Sequence, residues 1–249
     1  MASKALGLIN GVSKDARLIM LKLAYPLENV DIAWAFDAVL TDIQTRPMAR
    51  PVVVTFAAGA HENPLAYPWP DVRRSMEKIF TQNAAIVVSA GNDGLKPGRK
   101  NVDKVPAIWA DVDRAFPLIV TGAVDNMGFE RPSSQGPKHV TVWAPGTNVQ
   151  CADRGGFREA SGTSYSTGMV SIPQTREVGR TNVRHKVAGL VAYAFARNKT
   201  EDGIEAKDWL ITRASWRRQS GPQSPLVLWN NVEDSIPTLQ LRSRTKFYA

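Results

Sequence analysis

Two short segments hold the residue types most able to do chemistry, and the first is residues 89–94 (Ser-Ala-Gly-Asn-Asp-Gly). It follows directly on an apolar run that is typical of a buried strand. Ligands gather at the carboxyl ends of the strands in an open parallel sheet, so Asn92 is placed to aim its side-chain N–H₂ into a cleft. Asn, Asp and Gly also favour turns, and the segment by itself predicts a turn.

The second segment is residues 160–168 (Ala-Ser-Gly-Thr-Ser-Tyr-Ser-Thr-Gly). Its small residues allow the backbone to turn sharply before a helix begins. A Ser in the first helical positions, such as Ser164, exposes its hydroxyl at the positive end of the helix dipole, and this favours a developing anion. N-capping of the helix by Thr163 or Ser164 is the alternative, and it explains the same residues.

The elements that must position these segments follow from the hydrophobic periodicity. Apolar runs predict strands at 16–23, 51–56, 84–90, 118–123 and 140–143. Helical spacing predicts helices around 32–43, with Asn29 or Asp31 as N-cap, 70–82 and 188–197. Strands that alternate with helices indicate βαβ units, so the predicted fold class is α/β with a parallel sheet. We expect residues 51–56 to be buried on both faces of that sheet.

The composition is that of an ordinary globular chain: 249 residues, 43% hydrophobic and 22% charged. We expect no membrane span, and the first residues are not expected to be a secretory signal, because they lack its apolar run and cleavage site. The single Cys151 excludes an intrachain disulfide and a thiolate metal cluster. The net charge of +8 is mostly interspersed with acidic residues, and no nucleic-acid-binding motif is visible, so nucleic acid is not an expected partner.

Taken in order, the two segments and their surroundings resemble the subtilisin-like serine peptidases, the subtilases. The family's Gly-Thr-Ser motif, which leads into a helix with Val-Ala-Gly-Leu, is similar to residues 162–164 and 187–190, and its Ala-Gly-Asn motif is similar to residues 90–92. Shorter pieces agree in the same order at 11–12, 105–107, 122–125 and 144–146. The resemblance covers about residues 2–217. It implies a subtilisin-like parallel sheet flanked by helices, lacking its N-terminal portion.

The resemblance also assigns roles. It makes Ser164 the nucleophile of a serine endopeptidase, and it makes Asn92 a donor to the oxyanion of the tetrahedral intermediate, together with the backbone N–H of Ser164. The two walls between which a polypeptide substrate lies as an added strand would be Ala57-Ala58-Gly59 and Ser89-Ala90-Gly91. No cofactor is implied. Calcium is common in the family, but no carboxylate cluster in this sequence identifies a site, and relatives are usually secreted, which implies an extracellular location. The sequence indicates no oligomeric state.

The sequence departs from the family pattern first in the catalytic triad. Residues 1–5 look like those that follow the family's His-Gly-Thr motif, so neither the Asp nor the His of the triad is identified among the 249 residues. We interpret His61, His139 and His185 as surface residues, because a general base must be positioned as well as present. The chain as given is therefore predicted to be inactive, since a Ser hydroxyl without a base is a poor nucleophile. The alternative functions are a non-catalytic pseudopeptidase that binds peptides or a protein partner, and a basic protein that binds anionic surfaces.

The second departure lies within the nucleophile helix. Residues 170–186 separate Gly-Thr-Ser from Val-Ala-Gly-Leu, contain Pro173 and Gly179, and show no helical period. Removing these 17 residues restores the family spacing. We interpret them as a non-native insertion or a retained intron translated in frame, because Val170-Ser171 can be encoded by a splice donor; a genuine surface loop is the alternative. We expect one incomplete peptidase domain over 1–249, with 218–249 as its C-terminal closing segment.

Overall fold

A parallel β-sheet is the centre of the computed structural model, which describes residues 16–24, 26–46, 51–111, 116–125, 127–153, 156–168, 187–213 and 227–228. Its strands lie in the spatial order β1 (Val52–Phe56), β2 (Ala84–Ser89), β3 (Ile119–Val124) and β4 (Val142–Pro145). All three neighbouring pairs are parallel. Beside β4, Val227 adds a further parallel bridge to Trp143. The predicted α/β class with a parallel sheet is confirmed.

Helices cover both faces of this sheet. The described α-helices are α1 (Asn29–Thr45), α2 (Trp69–Phe80), α3 (Thr163–Gly168), α4 (Val187–Ala196) and α5 (Gly203–Arg213). Strand β2 shows how the layers form, because its side chains alternate between the two faces. Ile86 and Val88 pack in one apolar cluster with residues of α1 and α2, whereas Ala85 and Val87 pack in another with residues of α4 and α5.

The predicted helices lie close to their expected positions, but the N-cap of α1 differs. Glu28 is the cap, and its backbone N–H donates to the Asp31 carboxylate at 2.9 Å in a reciprocal capping box. Asn29 is the first helical residue instead, because the capping box satisfies the free N–H groups one residue earlier. Four residues of the predicted apolar face are buried as expected, namely Ile32, Phe36, Leu40 and Ile43.

Two expectations about strands are wrong. Residues 16–23 form no strand, and Leu18 to Leu21 have exposed fractions of 48–73%. An apolar run becomes a strand only when a neighbour accepts its backbone hydrogen bonds, and among the described residues no ladder includes this run. Residues 51–56 do form a strand, β1, but it is half-buried with Thr55 exposed, because it lies at one edge of the sheet that the described residues form.

Three further elements have weak sequence signals and were not predicted. They are a 3₁₀ helix (Ala107–Asp111), helix α5, and an antiparallel hairpin of β5 (Val149–Asp153) and β6 (Gly156–Ala160). The hairpin leads directly into α3. Helix α3 ends at Gly168, α4 begins at Val187, and the two helices contact each other. Residues 170–186 and all of 218–249 except 227–228 lie outside the described residues, so the predictions for them stay predictions. None of the helices that the structure describes has the length and apolarity to cross a bilayer.

Candidate active site

The two segments singled out in the sequence meet at the carboxyl edge of the sheet. Asn92 follows the end of β2, and Thr163 begins α3. The backbone N–H of Thr163 donates to Asn92 Oδ1 at 2.9 Å, and its hydroxyl lies 3.3 Å from the same oxygen. In return, the N–H of Gly91 donates to the Thr163 hydroxyl at 3.3 Å. These bonds join residues that are 71 and 72 positions apart in the sequence.

The bonds from Thr163 also orient the Asn92 amide. Because Oδ1 accepts both contacts from Thr163, these bonds fix which side of the Asn92 amide carries its N–H₂ donors. Gly162 allows this close approach. Its φ is +145°, and a Cβ at this position would lie 3.2 Å from Asn92 Oδ1. A side chain there would be strained by its backbone and crowded by the amide.

Ser164 is the second residue of α3 and is half-buried. Its hydroxyl donates to the backbone carbonyl of Ala57 at 3.1 Å, so the first predicted wall lies directly beside the candidate nucleophile. The start of α3 is anchored to the end of β4: the N–H of Gly162 donates to Gly146 O at 2.7 Å, and Ser166 Oγ donates to Ala144 O at 3.0 Å. The position of Ser164 therefore depends on backbone contacts to β4 as well as on α3 itself.

The two predicted walls leave a gap between them. Strands β1 and β2 are paired up to Phe56 and Val88. Beyond that point Ala60 exchanges backbone hydrogen bonds with Val105 at 2.9 and 3.1 Å, whereas Ala90 N–H donates to Thr121 O at 3.0 Å on the β3 side. The continuation of each strand thus pairs with a different partner. The walls, residues 57–59 and 89–91, therefore diverge after the last β1–β2 pair.

Two residues that the sequence analysis did not single out lie between these walls. A Cβ on Gly59 would lie 3.2 Å from Lys104 Cβ, and a Cβ on Gly91 would meet the Gln135 side chain. Gln135 is fully buried, and its Nε2 lies 2.7 Å from an Asp103 carboxylate oxygen and 2.8 Å from Asn101 O. No local sequence pattern marks either residue, because each reaches the cleft only through the folding of a long loop.

His61 lies just beyond the first wall, but it is engaged with carboxylates. Its Nε2 lies 2.9 Å from Asp93 Oδ2 and its Nδ1 lies 3.1 Å from Asp103 Oδ1, so neither ring nitrogen is bonded to Ser164. Lys104, Lys96 and His61, in that order of influence, hold the pKa of Asp93 well below its usual range. His139 precedes β4 at the opposite edge of the sheet, and His185 lies outside the described residues. Within the described residues, no group of three or more His, Cys, Asp or Glu side chains could hold a metal ion.

Comparison with protein families places the chain in a known group, and comparison with solved structures shows its fold. The subtilase family model matches residues 1–173, which is more than half of the chain. The chain belongs to the subtilase family, a family of serine peptidases. A search among curated proteins finds no match.

Solved structures with the same fold agree with the family. The crystal structure of a cold adapted subtilisin-like serine proteinase superposes with a TM-score of 0.68 at 17% identity, covering 92% of this chain and 72% of that one. The prenylagaramide maturation protease PagA gives 0.56 at 20% identity, covering 85% of this chain and 68% of that one. An S41 psychrophilic protease gives 0.52 at 21%, covering 74% and 55%. At these identities the likeness establishes the subtilisin-like fold.

Proposed function

We propose that the site is the acyl-transfer centre of a serine endopeptidase, with Ser164 as the nucleophile and Asn92 as an oxyanion donor. The hydrogen bond from Thr163 N–H to Asn92 Oδ1 carries the proposal. It fixes an amide N–H₂ group next to the residue that bears the hydroxyl, which is the arrangement that stabilises a tetrahedral oxyanion. The substrate is an extended polypeptide, and the family suggests that it is met outside the cell.

In this proposal the peptide backbone lies between residues 57–59 and residues 89–91. The scissile carbonyl carbon faces Ser164 Oγ, and its oxygen accepts from Asn92 Nδ2 and from the backbone N–H of Ser164. Main-chain hydrogen bonds to the walls supply affinity, and the space between the walls receives one substrate side chain. The divergence of the two walls after Phe56 and Val88 supports this placement.

We also propose that the 249 residues as given bind peptides without turning them over, as a pseudopeptidase does. The Ser164 hydroxyl donates to a backbone carbonyl, and both ring nitrogens of His61 contact carboxylates. Proton removal from a Ser hydroxyl requires a base within hydrogen-bond reach. Among the described residues no such base contacts Ser164, so in this proposal the peptidase chemistry of the site depends on a base from outside them.

Two measurements test the proposal. A peptide with a free C-terminal carboxylate places that carboxylate at Asn92 and Ser164, so it should bind more tightly than the same peptide as an amide, and Asn92→Ala should remove the difference. A fluorophosphonate probe should label the chain no faster than Ser164→Ala. Equal binding of carboxylate and amide would contradict the oxyanion assignment, and rapid labelling at Ser164 would contradict the missing base.

A further inference from the structure

The side chain of Lys104 crosses the gap between the two walls. Its Cδ lies 3.7 Å from a Cβ placed on Gly59 and 3.5 Å from a Cβ placed on Gly91. The Cβ positions of the two glycines, one in each wall, therefore face the same atom, Lys104 Cδ. The aliphatic stem of Lys104 therefore lies against both walls, and Gln135 packs against Gly91. We call the space between the walls that this stem borders the slot.

In the described part of the chain, the ammonium of Lys104 contacts one carboxylate, that of Asp93. Its Nζ lies 2.8 Å from Asp93 Oδ2, and the side chain is 21% exposed. The same Asp93 carboxylate also contacts Lys96 at 2.8 Å and His61 at 2.9 Å. One carboxylate therefore faces three cationic or hydrogen-bonding partners, and it cannot satisfy all the N–H donors that surround it.

The net charge around Lys104 stays positive when the second carboxylate, that of Asp103, is included. Asp103 contacts His61 at 3.1 Å and Arg99 at 3.3 Å, and it also accepts from Gln135. Counting both carboxylates, Lys96, Arg99 and Lys104 outnumber Asp93 and Asp103 even when His61 is neutral. Lys104 is the least exposed of the three cations, and the group around it carries excess positive charge, which favours an anionic group over a cationic one.

We propose that Lys104 is a specificity-determining residue of this cleft, and that it makes the slot select an acidic substrate side chain. Its stem excludes a large aromatic side chain, and its ammonium donates to the incoming carboxylate. The inference rests on the proposed function, because a side chain enters the slot only when a peptide backbone lies between the walls. The remaining N–H donors of Lys104, with Asp93 retained as its neighbour, supply charge-assisted hydrogen bonds.

Binding of product-like peptides to the full 249-residue chain tests this. The probes are fluorescein-Ala-Ala-Ala-Xaa peptides with a free C-terminus, where Xaa is Glu, Gln, Lys or Phe, measured by fluorescence anisotropy. The Glu peptide should bind about tenfold more tightly than the Gln peptide, which has the same shape without the charge. The Lys and Phe peptides should bind more weakly than the Gln peptide.

Two variants separate the stem of Lys104 from its charge. Lys104→Met keeps an unbranched apolar side chain without the ammonium, so it should remove the preference for Glu over Gln while still excluding Phe. Lys104→Ala opens the slot and should make the Phe peptide the tightest binder of the four. The Phe peptide should bind this variant about tenfold more tightly than it binds the unmodified chain. Circular dichroism spectra of both variants should match that of the unmodified chain.

The possible failures are distinguishable. If peptides bind but the order of preference is the same in Lys104→Met and Lys104→Ala as in the unmodified chain, Lys104 does not set specificity and the inference is wrong. Tightest binding of the Lys peptide would also overturn it, since Asp93 would then dominate the slot. If none of the peptides binds the unmodified chain or either variant, the proposed function is wrong, and the inference, which rests on it, is wrong as well.

Discussion

At the scale of single residues, the site depends on a glycine that leaves room for an amide. Gly162→Ala would place a Cβ 3.2 Å from Asn92 Oδ1 at a φ of +145°. We expect a loss of about 1–3 kcal/mol in unfolding free energy from the strained backbone. We also expect weaker binding of peptides with a free carboxylate, because the Asn92 amide must turn. Urea denaturation and fluorescence anisotropy measure the two effects.

Gly98→Ala is the matched control for this substitution. Gly98 also has a positive φ, +72°, but a Cβ there would meet no atom within 4 Å. The Gly98→Ala substitution should lower the unfolding free energy, because Ala is strained at this φ, and it should leave peptide binding unchanged. If both variants weaken binding equally, strain and not the contact with Asn92 is responsible.

The environment of Asp93 predicts how the unfolding free energy depends on pH. Its pKa is held well below the usual range by hydrogen bonds from Lys104, then Lys96 and His61. A depressed pKa in the folded state stabilises the fold above the unfolded pKa, about 3.9, and this stabilisation is lost as the pH falls below that value. Asp93→Asn should therefore lower the unfolding free energy at pH 7 by about 1–2 kcal/mol and flatten its decline between about pH 5 and pH 2.

The measurement is urea denaturation of both proteins across that pH range. Asp71→Asn is the control, since Asp71 pairs with Arg74 on the exposed surface of α2 at 2.8 Å, and such pairs contribute little. If Asp93→Asn is as stable as the unmodified chain at pH 7, the lysine and histidine contacts do not stabilise the fold.

At the scale of elements, we expect the stretch that separates α3 from α4 to have the largest effect on the unfolding free energy. Helix α3 ends at Gly168, α4 begins at Val187, and the two are in contact. The family match ends at residue 173, inside the stretch 170–186. Deletion of 170–186 should let the two helices continue into one another and raise the unfolding free energy by roughly 2–3 kcal/mol through the loop entropy removed.

Thermal unfolding followed by circular dichroism checks this expectation, with a variant that carries a scrambled sequence of the same 17 residues as the control. The scrambled variant should behave like the unmodified chain. A lower melting temperature after deletion would show that the stretch is a genuine loop with stabilising contacts. Sequencing of the mature transcript separately tests the retained-intron interpretation.

The elements also show which kind of sequence signal is reliable. The buried strands β2 and β3 and the helices α1 and α2 were predicted because each carries its own signal in consecutive residues, an apolar run for the strands and a helical period for the helices. The strand at 16–23 and the burial of β1 were predicted wrongly, because pairing and coverage depend on neighbours that are distant in sequence. Helix α5 and the hairpin were missed because their exposed residues weaken the local pattern.

At the scale of the whole molecule, a run of exposed apolar residues has consequences for association. Leu18, Ile19, Met20 and Leu21 are about half exposed or more, and runs of this kind promote self-association. Replacing Ile19 and Met20 together by Lys should reduce self-association in light scattering, with a change in unfolding free energy below about 0.5 kcal/mol. Leu65→Lys, at a residue outside this run that is 82% exposed, is the control and should change association less. Unchanged scattering in the double variant would show that the run is not the contact surface.

The sequence by itself determined the α/β class, most of the element positions and the two segments that form the centre of the site. It could do so because periodicity and short motifs are properties of consecutive residues. The proposed roles of Ser164 and Asn92 rest on those motifs and on the hydrogen bonds that bring them together.

Only the tertiary structure decided what lies between the walls. Lys104 reaches Gly59 and Gly91, Gln135 reaches Asp103, and His61 is bonded to Asp93 and Asp103. These pairs are 13 to 45 residues apart in the sequence. Such contacts are set by how loops cross at the edge of the sheet, and no pattern in consecutive residues encodes that crossing.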